Sequence, residues 1–492
     1  MAVKRTSLII LVGVIALAVG LGGIVWNRFF RERPQAFADH TMETYFKYGS
    51  IGTENNAGIP YWLWLILPKM FPDYLPGPGG WTALGFYREA GQEVPVGFSK
   101  KTIGVDRVGI NCAACHVSQV RRPGEAVPHI YLGGPGNTVD ILGYQRFLFA
   151  CASDPRFTSH HILKALAEVV DLPFLDRLQY RYMLIPATRK ALLREKAQFA
   201  WTNTRPDWGR GRVDPFNPVK VAFLKVAVGD TIGNADIPPI WNLDQRDEGK
   251  LALHWDGLNS DLTEVFLSSA LGDGATLKSL PVHKLQELQD WAKTLKPPSF
   301  QALFEIDHTL AALGQPIFEQ HCARCHRFGG EQTGKALPLT NEAWGEGLEG
   351  NPAGPLYTDP HRLGVWTPET LEAFAAYADD YAWDFKQFRP TVGYVNVPLD
   401  GLWIRAPYLH NGSVPYLTEL LELPERRSQI FYRGHDVYDA DRMGFVSEGP
   451  EAEHLGSRYD TSEPGNSNQG HLWGTHLSDT EKRLLLEYLK TL

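Results

Sequence analysis

From Ser7 to Trp26 the chain is uncharged and almost wholly apolar, between Lys4-Arg5 on one side and Arg28, Arg31 and Arg33 on the other. A run of about 20 such residues is the length a helix needs to cross the hydrocarbon core of a bilayer. Ala16-Leu17-Ala18 resembles a signal-peptidase site, but the apolar run continues two turns beyond it, which favours an uncleaved anchor over a cleaved leader. Basic residues flank both ends, so charge asymmetry leaves the orientation of this span undecided.

Beyond the anchor, apolar positions recur at helical spacing. Leu285, Leu288, Ala292 and Leu295 fall on one face of a predicted helix that Pro297-Pro298 stops, and Leu485, Leu489 and Leu492 do the same at the C-terminus. Ser478 followed three residues later by Glu481 has the form of a capping box for that last helix. These two stretches resemble each other: Asp290-Trp291-Ala292-Lys293-Thr294-Leu295 aligns with Glu487-Tyr488-Leu489-Lys490-Thr491-Leu492. Upstream of each lies a second matched string. Asp256-Gly257 and Asn411-Gly412 are both followed, four residues on, by Leu-Thr-Glu and two apolar positions. Asx-Gly is a turn signal and the tail begins a helix, so each copy predicts a turn feeding a helix.

Two matches in the same order imply an internal duplication. The expected organisation is an anchor over residues 1–33, a first module over 34–298 and a second over 299–492. The fold class expected is mainly α, with long loops over Asn203–Pro218, Gly329–Pro360 and Gly434–His476, where glycine, proline and polar residues concentrate. Loops of that length usually carry function or cover a ligand.

Composition narrows the chemistry. With 492 residues and 43% hydrophobic content the chain can bury sizeable cores, and a net charge of -8 argues against a nucleic-acid partner. Four of its five cysteines fall into two copies of one motif, Cys112-Ala-Ala-Cys115-His116 and Cys322-Ala-Arg-Cys325-His326. CxxCH is the attachment string of c-type haem: two thiols form thioethers to the porphyrin and the histidine supplies an axial nitrogen to iron. A zinc site would need four ligands at matched spacing, and a redox dithiol has no use for a histidine directly after the second cysteine on both occasions. Cys112, Cys115, Cys322 and Cys325 are therefore expected to bind two covalent haems, with His116 and His326 as proximal ligands. Cys151 is expected to be a buried small apolar residue.

The ligand on the far side of each iron decides between electron transfer and ligand binding. For the second haem, His471, on the loop Gly465-Asn466-Ser467-Asn468-Gln469-Gly470-His471, is the first choice, His410 the runner-up and Met443 the third. For the first haem, His129, His160, His161, His254 and His283 are all available, and an open site lined by aromatic residues is equally compatible with the sequence. Where the second module has His410 the first has Trp255, which with Trp241 could line a pocket or relay electrons. Arg405 is a candidate partner for a haem propionate. No catalytic acid or base stands out.

Tyr48 to Gly52, Gly104 to Asn111 leading into the first CxxCH, His254-Trp255-Asp256-Gly257, Arg405 to Pro415 and Gly465 to His471 together resemble the dihaem cytochrome c peroxidase superfamily, in its rubber-oxygenase-like branch. The resemblance implies two cytochrome c-like domains, an open or weakly ligated first haem and a second haem with two histidine ligands, His326 and His471. Attachment of c-type haem outside the cytoplasm implies that the bulk of the chain lies in the periplasm. The expected function is that of a membrane-anchored oxidoreductase. Electrons would pass in at the second haem from a small soluble cytochrome or a membrane redox complex, and peroxide or dioxygen chemistry would occur at the first. The alternative is a respiratory electron-transfer cytochrome with both irons six-coordinate.

Overall fold

The computed structural model describes residues 2–339, 356–379, 383 and 385–492. Residues 340–355 of the expected loop Gly329–Pro360 lie outside them. The apolar run forms one helix, Ala2–Phe29, and its window Leu11–Arg28 is long and apolar enough to cross a membrane. The remainder is mixed rather than purely helical, with helix over 43% of the chain and strand over 11%. This qualifies the expectation of helices joined by loops, because small sheets build much of what reads as loop.

The largest sheet has four antiparallel strands, in the order Glu32–Arg33, Phe98–Ile103, Val105–Ile110, Ile59–Pro60. Its central hairpin turns at Gly104, whose φ of 70° is one that β-branched neighbours such as Ile103 and Val105 could adopt only with strain. The stretch Asn203–Pro218 contributes Arg212–Val213, paired with Ala235–Asp236. Gly434–His476 contributes the two-stranded pair Tyr438–Asp439 and Gly444–Phe445, the helix Pro450–Leu455 and the strand Ser457–Asp460, which pairs with Ile430–Arg433. Ladders of two to four residues between remote segments leave no periodic signature long enough to read locally.

The helical expectations locate real elements. Val282–Ala292 buries Leu285, Leu288 and Ala292, and Asp479–Leu489 buries Leu485 and Leu489. Ser478 and Glu481 form the full capping box, with Glu481 Oε2 accepting from the Ser478 amide at 2.8 Å. Gly257 and Gly412 have φ of 67° and 64°, as the Asx-Gly turns require. The helix after the first turn runs Leu262–Gly272, whereas the one after the second is a single turn, Leu417–Leu420.

Among the described residues four apolar clusters form, two of them large. One is centred on Trp64, stacked on Trp81 at 4.5 Å and flanked by Phe98 and Phe147. The other gathers Phe300, Phe318, Trp403, Tyr438 and the C-terminal helix. Each buried ring of this size contributes about 1.5–3 kcal/mol of transfer free energy. The clusters do not divide the chain at one point: Trp366, Phe374 and Phe388 pack into the first, and Val120 and Trp241 into the second. The second half therefore supplies part of the wall around the first CxxCH.

Candidate haem sites

The first CxxCH follows directly from the central hairpin. After Ile110 the chain turns at Asn111, whose side-chain oxygen accepts from the Ala113 amide at 3.0 Å and whose amide nitrogen donates to the Gly49 carbonyl at 3.0 Å. Asn111 thereby caps the short 3-10 turn Cys112–Ala114 and ties it to the neighbouring chain. Gly97 and Gly136 permit the close approach on either side. A Cβ at Gly97 would collide with Ala114, and one at Gly136 would lie 2.6 Å from the Cys115 carbonyl.

Cys112, Cys115 and His116 form one side of a cavity of about 410 Å³, within the range of cofactor and ligand sites. Phe216, Trp366, Phe374 and Phe388 supply aromatic walls, and Asp273, Arg362 and Arg405 reach the same space. Burial pushes the His116 imidazole down to about 4, against the opposing pull of the Pro238 carbonyl, so the ring is neutral and available as a ligand at neutral pH.

Of the five histidines weighed for the far side, His254 alone lines this cavity. It sits between Phe216 and Phe388 with φ of 63°, and its buried Nε2 has no hydrogen-bond partner. Burial lowers its pKa to about 4. His129 meets Glu125 at 3.2 Å, His161 meets Thr158 at 2.9 Å and stacks edge-on with His160, and His283 pairs with Glu287 on an exposed helix face. Trp255 lines the cavity and donates to the Asp236 carbonyl at 2.7 Å, while the Asp236 amide donates to the His410 carbonyl at 2.8 Å. The two duplicated positions thus meet on one residue.

The second CxxCH sits at the end of the helix His308–His321, with His326 closing the single turn Ala323–His326. His326 Nδ1 donates to the Val397 carbonyl at 2.8 Å, which fixes the tautomer and leaves Nε2 with a free lone pair. Facing it is His471, ring centre to ring centre at 6.2 Å with 39° between planes. Two imidazole–metal bonds of about 2.0–2.1 Å placed in line, with half a ring behind each, span a separation close to this. Burial, with His326 and Arg427 adding to it, pushes His471 down to about 3, and its buried Nδ1 is unpartnered. Both rings are therefore neutral at physiological pH.

The loop that presents His471 is held from below by Arg427 and Arg212, which carry no motif in the sequence, and by Asn411 of the second Asx-Gly turn. Buried Arg427 donates to the carbonyls of Gly470 at 2.9 Å and His471 at 3.2 Å. Asn411 donates to those of Gly465 and Ser467, and Arg212 reaches Asn466 Oδ1 at 2.7 Å. The runner-up, His410, is instead buried against Tyr394, stacked at 3.8 Å, and Met443 lies fully buried in the second apolar cluster. Arg405 donates to the Pro398 carbonyl and to Asp400 Oδ1 at 2.6 Å; its buried Nε is unpartnered beside the first cavity.

The residues fit haem better than the competing readings. Among the described residues no three His, Cys, Asp or Glu side chains converge as a protein-only zinc site needs. Burial raises Cys112 and Cys322 to about 12, opposite to the depressed thiol of a redox dithiol. Cys151, fully buried, is the apolar residue expected of it.

Residues 393–432 match the model of the RoxA-like, cytochrome c-like family. That segment carries Val397, Arg405, His410 and Arg427, the wall between the two CxxCH sites and the clamp under the His471 loop. It supports a rubber-oxygenase-like cytochrome c relationship and implies haem c. Two proteins of Sinorhizobium fredii (strain NBRC 101917 / NGR234) are also similar: uncharacterized protein y4iJ, 30% identical over 40% of this chain and 41% of its own length, and uncharacterized protein y4iM, 27% identical over 52% of this chain and 64% of its own. The chain thus spans less than two thirds of either relative.

Proposed function

We propose that this chain is a membrane-anchored dihaem c-type cytochrome that acts as an oxidoreductase, with its haem modules on the periplasmic side. The observation that carries the reading is the contrast between His326, faced by His471 at 6.2 Å, and His116, which opens onto a cavity of about 410 Å³. Cys112 and Cys115 would hold the first haem with His116 as axial ligand, and Cys322 and Cys325 the second, between His326 and His471. Iron in such a group supplies one-electron chemistry, and an open axial position also admits a small ligand such as dioxygen or peroxide.

The protein's own contribution is positional. The Val397 carbonyl orients His326, and Arg427 fixes the backbone that carries His471, so two neutral imidazoles are held for a low-spin site suited to passing electrons. The first site is walled by the rings of Phe216, Trp366, Phe374 and Phe388, while the unpartnered Nε and Nη1 of buried Arg362 leave N–H groups unsatisfied in the lining. Val397 serves both sites: it lines the first cavity, and its carbonyl accepts from His326 at 2.8 Å. The electron donor or acceptor would be a small soluble cytochrome or a membrane redox complex.

His254 supports a second reading. If its imidazole takes the sixth position of the first iron, both haems are six-coordinate and the protein is an electron carrier. Intact mass and a pyridine haemochrome spectrum should report two covalent porphyrins per chain; none would end both readings. A high-spin ferric component that shifts with cyanide, together with carbon monoxide binding on reduction, is expected for the oxidoreductase. Two low-spin haems inert to both would favour the carrier.

A further inference from the structure

The end of the membrane helix is fastened to the folded part at two points. Glu32–Arg33 pairs with Thr102 and Ile103 of the central sheet, and the Gly104 amide donates to the Arg31 carbonyl at 2.9 Å. Arg28 reaches the Asp176 carboxylate and Gln179 Oε1, while Gln179 Nε2 donates back to the Arg28 carbonyl at 3.1 Å. The protein therefore does not swing freely below its anchor. Whatever lies beside Asp176 and Gln179 stands at the depth of Arg28, where the apolar span ends and Trp26, 61% exposed, marks the interfacial belt.

What lies there is a helical segment, Phe174–Gln198, that presents large apolar side chains outward. Phe174 is 72% exposed, Leu175 53%, Tyr182 69% and Met183 49%, interleaved with exposed Arg177 and Arg181. Aromatic and aliphatic side chains beside arginines are the composition of a segment lying in a headgroup region. On the other side buried Leu184, Ile185 and Leu192, with Leu172 just before the segment, hold it to the first apolar cluster.

We propose that Phe174, Leu175, Tyr182 and Met183 form a second membrane contact, seated in the anionic lipid headgroups around the anchor, with Arg177 and Arg181 facing lipid phosphate. It rests on the reading of Ala2–Phe29 as a membrane span. Together with the two fastenings it fixes how the CxxCH sites face the bilayer.

The test uses the full haem-loaded chain in nanodiscs of phosphatidylglycerol and phosphatidylcholine. It carries a single nitroxide at Met183→Cys or, as control, at Leu313→Cys, which is 56% exposed on a helix of the second module. At position 183 the ratio of oxygen to nickel-chelate collisions should exceed that at position 313 several-fold. Adding Arg177→Glu and Arg181→Glu should bring the ratio down in phosphatidylglycerol discs and change it little in pure phosphatidylcholine. Equal, water-like ratios at both positions in a chain that resists alkaline carbonate extraction would overturn the contact while leaving the anchor intact. Release of the chain by carbonate would overturn the anchor and the contact with it.

Discussion

The two CxxCH strings differ by one residue and fold in different settings. The first is a 3-10 turn at the end of a β-hairpin, facing a broad cavity whose walls come from both halves of the chain. The second sits at a helix end and meets a single histidine delivered by a loop that Arg427, Asn411 and Arg212 pin in place. The motif is five residues in a row, but what a haem held there could do would be set by the opposite wall. That wall is built by segments far away in sequence. In the first site it is aromatic, with His254 in its lining; in the second it presents a neutral imidazole, His471, whose ring centre lies 6.2 Å from that of His326.

Removing His471 should erase most of this difference. In His471→Ala the second haem should convert from low to high spin and gain carbon monoxide binding on reduction, with the first haem's spectrum unchanged; an unaltered low-spin spectrum would move the assignment to His410 or Met443. Asp400→Asn should disturb the wall the sites share. Asp400 neutralises Arg246 and Arg405, all three side chains being under 10% exposed. Removing one partner of a buried ion pair costs about 3–5 kcal/mol, read by thermal or denaturant unfolding. Burial pushes the Asp400 carboxyl up, but Arg405 and Arg246 outweigh it and leave it below its ordinary value of 3.8. Its contribution is thus complete above that value and is lost as pH falls through the lower folded one. The gap between the parent and Asp400→Asn should be constant near neutrality and close in acid below about pH 3.8.

Gly314→Ala tests the support beneath the second motif alone. Gly314 lies in His308–His321 where a Cβ would strike the Leu484 carbonyl of the C-terminal helix. The clash should cost about 1–3 kcal/mol and broaden the second haem's signals before the first's. Ser478→Ala removes one arm of the capping box at the far end of that helix. It should lower stability by about 1 kcal/mol and leave both haem spectra unchanged.

Several of these features are legible without coordinates because they are local. CxxCH, the Asx-Gly turns at Gly257 and Gly412, the capping box at Ser478 and the helices around Leu285 and Leu485 each lie within one short window of sequence. His471 also stands out in the sequence, on a loop of glycine and asparagine, and the structure places its ring opposite that of His326. His254 was not separable from four other histidines. Its distinction is that it alone reaches the cavity wall, a property of three-dimensional position. Arg427, Arg212 and Arg433 carry no local signal in the sequence, yet all three are buried, each donating to backbone or side-chain oxygens that other segments supply. The exposed apolar residues of Phe174–Gln198 fit a core-facing helix equally well until the fold shows which side is covered.

By itself, then, the sequence determined the two CxxCH strings, the apolar span and the paired turn-and-helix units, since motif spacing, helix length and backbone dihedrals act over a few residues. Only the tertiary structure decided which histidine faces which, where the walls of the first cavity come from and which apolar face stays exposed. These depend on contacts between segments hundreds of residues apart, and the free energy of such contacts is set by which groups leave water together, which no local pattern records.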